Sequence, residues 1–145
     1  MLCASRAIGA SAALPPQCHI APSKLCPVYF DQVDPVIKIL HRPSLSDSME
    51  RGSQYLRYPT GHPAVNALTS AVCYAAVCSL TETACRNMFQ AEKTSLLDPY
   101  RRACEIALEQ SEVLVTGDTT VLQAFVLYIV SLLCYTSEGP KSFTQ

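Results

Sequence analysis

The chain is 145 residues long, the size of one ordinary domain or a piece of a larger one. Eleven Lys and Arg against twelve Asp and Glu leave a formal charge of -1, which excludes a nucleic-acid affinity built on net charge. Apolar residues are 49% and charged residues 16%, so a wholly disordered chain is excluded too.

Residues 1–28 carry Arg6 and Lys24 and no acid. The run Ala7–Leu14 lacks the strong apolar centre of a secretory signal, and one Arg is thin for a transit peptide. Residues 1–24 therefore read as a disordered leader. Eight of the ten prolines lie at or before Pro63. That punctuation predicts a loop-rich first part with one short helix, followed by long helices.

The first helix is predicted over Val28–Leu40, where Tyr29, Val33, Val36/Ile37 and Leu40 follow helical spacing. Asp34 and Pro35 fit an N-cap and first-turn pair, which would divide the segment into two pieces. His41-Arg42-Pro43 is expected to end it, because a residue before Pro avoids the helical region. Residues 44–62 read as a loop. A second helix is expected from Pro63 to about Leu80, with His62 as its N-cap and an Ala-rich surface that allows close helix approach. Thr81 caps a third, Glu82–Phe89. The fourth covers Glu92–Gln110, pairs Arg101 with Glu105, and kinks or restarts at Pro99. Asp118 caps the fifth, which runs to about Tyr135 and is apolar on nearly every face. Such a helix is fully buried or lies in a membrane. The expected fold is all-α, an irregular bundle of about five helices.

The window 119–137 has no charge and is long enough to span a bilayer, so a small membrane-anchored protein is the alternative reading. Thr119, Thr120, Gln123 and Ser131 dilute it, and neither end has a basic cluster. Gln123 is expected to bond a neighbouring backbone instead.

The eight cysteines include no C-x-x-C pair, which excludes zinc ribbons, redox motifs and a six-cysteine zinc cluster. Reduced structural thiols are expected. His19, His41 and His62 are the only imidazoles, and the two later ones sit at helix boundaries. No phosphate loop or H-E-x-x-H helix appears. No catalytic, cofactor-binding or metal residue is named, and an enzyme is not expected. Arg101-Arg102 reads as a solvated helix face, since acids flank it. Lys38 and Arg42 suit the C-terminal dipole of the first helix.

Three stretches carry a family resemblance. They are Tyr29–Pro43 with its Asp34-Pro35 and Leu40-His41-Arg42-Pro43; Ala71–Thr81 followed by Tyr100–Leu108; and Leu122–Tyr128 with its Leu122-Gln123-Ala124. Together they resemble the N-terminal part of the fungal-specific transcription factor domain, the all-helical middle homology region of fungal zinc-cluster regulators. The resemblance covers roughly 25–135 and lacks the family's six-cysteine cluster. It implies a regulatory or dimerisation module over 25–137 with a tail at 138–145, cut from a larger helical domain, so that the fifth helix keeps an exposed apolar face. It implies a nuclear transcription regulator of a metabolic or secondary-metabolite gene cluster, or a truncated gene. The implied partner is an intact zinc-cluster transcription factor or a second copy. DNA would be reached only indirectly, and no small-molecule substrate is implied.

Overall fold

The computed structural model describes residues 20–113, 115 and 117–138. The expected leader up to residue 19, with Cys3, Cys18 and His19, lies outside the described residues, as does the tail from 139. Six α-helices occur among the described residues: α1 Pro22–Val28, α2 Arg42–Arg51, α3 Pro63–Ser79, α4 Glu82–Phe89, α5 Lys93–Gln110 and α6 Thr119–Glu138. A π turn, Tyr29–Val33, continues α1, and no strand is present among these residues. The all-α expectation holds, with one helix more than expected.

The extra helix lies where a loop was expected. Residues 44–62 are not all loop, because α2 takes up the segment as far as Arg51. His41 does not end a helix; it is the extended N-cap of α2, and its carbonyl accepts the Leu45 amide at 3.1 Å. Arg42-Pro43 takes the first two helical positions, where a missing amide donor costs nothing. Leu45 and Met49, one turn apart, are the buried pair of an otherwise polar helix. Gly52 closes it in the left-handed region at φ 72°.

The start of the fold also differs. The first helix begins at Pro22, earlier than the expected Val28, and stops well before Leu40. Pro27 lies inside α1 and offers no amide donor; the backbone then widens, and the Asp34 amide bonds the Tyr29 carbonyl five residues back at 2.9 Å. Asp34 therefore closes a π turn and does not start a helix at Pro35. Of the expected pair Val36/Ile37, Val36 is 80% exposed and Ile37 packs partly buried against the core, while Tyr29, Val33 and Leu40 are buried as expected.

α3 is the central element. Every residue from Ala71 to Val77 is buried, so helices cover it on all sides. Ala67, Ala71, Ala75 and Ala76 keep its surface thin enough for that. The Lys93 ammonium, at the start of α5, donates to the Cys78 carbonyl at the end of α3 at 2.8 Å, so α5 runs antiparallel to α3. The Tyr58 and His62 rings, 4.7 Å apart, sit at the start of α3, and the Tyr58 hydroxyl donates to Asp118 at the start of α6 at 2.5 Å. Midway along, the Tyr74 and Tyr128 rings meet at 5.9 Å, so α6 runs parallel to α3. Pro99 neither breaks nor restarts α5, which is one continuous helix.

No single helix among the described residues is long and apolar enough to cross a membrane; the apolar run of α6 is Thr119–Cys134. Only α3 and α4 taken together would pass on length and composition, and they are bent by 117° at their junction.

Candidate interaction surface

α6 begins on a double anchor. The Asp118 carboxylate accepts the Thr120 amide at 2.8 Å, the N-cap bond the sequence predicts. The same oxygen accepts the Tyr58 hydroxyl. One turn on, the Gln123 side-chain amide donates to the Ile39 carbonyl at 2.8 Å, the backbone bond expected of it. Further along, the Tyr128 hydroxyl donates to Glu105 of α5 at 2.5 Å. Glu105 also holds Arg101 at 3.3 Å, and Arg101 holds Asp98 at 3.1 Å. These contacts fix both the rotation and the axial position of α6.

The rotation decides what the helix shows to solvent. Val121, Ala124, Leu127 and Ser131 are buried against the bundle. Small residues at 124 and 131 let the two helices come close. The opposite side presents Leu122 at 45%, Val126 at 44% and Leu133 at 60% exposure, with Ile129 half-buried between them. The helix is thus not wholly buried. It is two-faced, with both faces apolar. No acidic or basic residue lies between 119 and 137 to interrupt the outer face. Contiguous exposed apolar surface of this kind marks interaction sites.

The titratable groups among the described residues show no comparable assembly. His41 Nδ1 lies 2.8 Å from the Ser44 hydroxyl, and the His62 ring accepts the Ala64 amide at 3.0 Å. Both act as helix starts; the sequence predicts that for His62 and places His41 at the wrong end. No group of three or more His, Cys, Asp or Glu suited to a metal ion occurs among the described residues. Cys26, Cys73, Cys78, Cys85, Cys104 and Cys134 are free. Burial pushes the Cys26 and Cys73 thiols up to about 12 and the Cys78 thiol up to about 11. The Cys85 and Cys104 thiols rise for the same reason. Such thiols do not supply the thiolate that nucleophilic chemistry needs. A cleft of about 210 Å³ between α3 and α5, with Pro22 of α1 at its edge, is lined by Thr69, Ser70, Cys73 and Tyr100 among others and by no charged side chain.

The basic residues are neutralised or dispersed. Arg101 is paired with two acids, Arg86 lies between Glu82 and Glu92, and Arg51 pairs with Asp47 at 3.0 Å. Lys38 pairs with the buried Asp34 at 2.9 Å. The Arg42 guanidinium covers the Phe30 ring at 4.7 Å. The expected dipole role of Lys38 and Arg42 is replaced by these direct contacts. No basic stripe of the kind that reads nucleic acid forms among the described residues.

Comparison with known proteins then supplies a context. No protein-family profile and no solved structure matches the chain. It is 58% identical over 108 residues to the C6 finger domain transcription factor adaR of Aspergillus niger, covering 74% of this chain. It is 55% identical over 108 residues to the C6 finger domain transcription factor nscR of Arthroderma gypseum. The transcription factor vrtR2 of Penicillium aethiopicum is 48% identical over 128 residues, covering 88% of this chain. The chain spans only 14% of the length of adaR and 15% of the lengths of nscR and vrtR2. Across that shared segment, this chain is a homologue of the fungal C6 finger domain transcription factors.

Proposed function

We propose that the chain is a transcription-regulatory module that acts through protein contact at the outer face of α6. The observation that carries this is the pairing of an uncharged apolar face with a helix pinned at Asp118, Gln123 and Tyr128. Such a face presents a rigid surface, so little ordering entropy is lost on docking. The shared segment with C6 finger regulators supplies the regulatory context. In this reading residues 25–137 correspond to the N-terminal part of the fungal regulatory domain. The module works in the nucleus on a metabolic or secondary-metabolite gene cluster. Among the described residues the basic side chains are paired or scattered, which favours reaching promoters through an intact zinc-cluster regulator. Catalysis forms no part of this role.

Chromatin immunoprecipitation of the tagged chain tests it, in fungal cells with and without an intact zinc-cluster regulator. Promoter recovery that depends on the regulator is the expected result. Recovery at no promoter, or promoter DNA bound tightly by the purified chain alone, contradicts the reading.

A further inference from the structure

We propose that the cleft between α3 and α5 binds a small uncharged compound of single-ring size that carries a carbonyl or hydroxyl oxygen. This goes beyond the contact role of α6 and does not depend on it. Asn66, Thr69, Ser70 and Cys73 line the cleft from α3, and their spacing puts them on one face of that helix. Tyr100, Ala103 and Ala107 line it from α5 and share a face in the same way. Ser70, Ala103 and Ala107 are small, so the two faces meet without filling the space between them. Beside this stripe the same helices bury Leu68, Val72, Leu97 and Leu108. The cleft therefore follows from side-chain size along one stripe of an otherwise closed contact.

Two hydroxyls define what fits. A serine or threonine in a helix commonly bonds back to its own backbone. Ser79, Ser95 and Ser111, near helix ends, do so, donating to the Ala76, Glu92 and Leu108 carbonyls. Thr69 and Ser70, in the middle of α3, have no such bond and no other side-chain partner among the described residues. Both are half-buried and line the cleft. The facing wall is apolar: the Ala103 and Ala107 methyls and Tyr100, whose hydroxyl donates away to the Ile20 carbonyl at 3.1 Å. A hydroxyl-bearing wall opposite a hydrocarbon wall selects a molecule with oxygen on one edge and carbon on the other. An ionised ligand would lose water with no counter-charge in return, since no charged side chain lines the cleft. The volume of about 210 Å³ lies below the range of about 300–1,000 Å³ that suits drug-sized ligands, which limits the compound to one ring or a short chain.

Amide NMR of the isotope-labelled full chain tests this by titration. The probes are benzamide and benzyl alcohol, with benzoate and benzylammonium as charged controls of similar size. The neutral probes should shift the amides of 66–73 and 100–107 saturably, with a Kd of about 1 mM. The charged controls should bind at least about tenfold more weakly. Thr69→Val/Ser70→Ala keeps the space, removes both hydroxyls and should weaken the neutral probes about fivefold. Ser70→Leu fills the cleft and should abolish the shifts with an unchanged helical spectrum; should it unfold, the first variant decides. The proposal is overturned if neither neutral probe gives saturable shifts, if the charged controls bind as well as the neutral probes, or if Thr69→Val/Ser70→Ala binds them like the wild type.

Discussion

At the scale of single residues, Asp118 carries more than its local role. One carboxylate oxygen caps α6 and also receives the Tyr58 hydroxyl from a loop 60 residues earlier. The cap is legible from the sequence, since Asp before an apolar helical run has one common use. The tyrosine is not, because nothing local links positions 58 and 118. Asp118→Ala should lower stability by about 1–2 kcal/mol in urea unfolding, and Tyr58→Phe by about 1 kcal/mol. The double variant should cost less than the sum of the two, since both remove the same bond. The thiols give a second test at this scale. Cys26, Cys73 and Cys104 are buried, and burial raises all three. Cys134 is exposed. Mass spectrometry after brief alkylation near neutral pH should find the label on Cys134 and leave those three unmodified until the chain unfolds.

Helix ends show where local rules suffice. Thr81 accepts the Ala84 amide at 3.0 Å and His62 accepts that of Ala64, as their positions before Glu82 and Pro63 predict. α2 does not stand out in the sequence although its signals are all local: Pro43 in the first turn, Leu45 and Met49 at helical spacing, and Gly52 after the last turn. Its polar composition outweighs them, for a helix with only two buried side chains leaves a weak periodic signal. The π turn is less legible. It follows from how Pro27 and the core share space around Tyr29, and no spacing rule encodes that. Two helix ends make opposite predictions. Gly52 ends α2 at φ 72°, and Gln90 ends α4 at φ 51° with a side chain in the same conformation. Gly52→Ala should therefore destabilise by about 1 kcal/mol, and Gln90→Gly should stabilise by about 0.5 kcal/mol, both read as urea midpoints. Inside α3, Ala71→Leu should cost about 1–3 kcal/mol, because the site is closed on every side.

The whole molecule inverts one expectation about its two apolar helices. The all-round apolar pattern of 119–135 suggests the buried helix, yet α3 holds the centre and α6 lies on the outside. Alanine decides this: α3 is thin enough to be surrounded, whereas α6 carries bulky Leu, Val and Ile all round. Hydrophobicity alone does not rank the two helices; side-chain volume does. Burial also sets the alkaline limit of the fold. The Cys26 and Cys73 thiols rise from 9.0 to about 12, and burial with the Glu105 hydrogen bond takes the Tyr128 phenol from 10.0 to about 12. These groups are harder to ionise folded than unfolded. Their contribution is full below pH 9 and falls away as pH rises toward about 12. Urea midpoints should therefore stay flat in this respect up to pH 9 and drop steadily above it.

The central claim is that this bundle regulates transcription through the outer face of α6. The most direct test is a transcript profile of a fungal host that expresses either the wild-type chain or the Val126→Glu/Leu133→Glu variant at equal protein level. The account predicts that the wild type changes the transcripts of a biosynthetic gene cluster and that the variant leaves them at the level of the empty host. An unchanged profile with the wild type, or the same change with both chains, would contradict it.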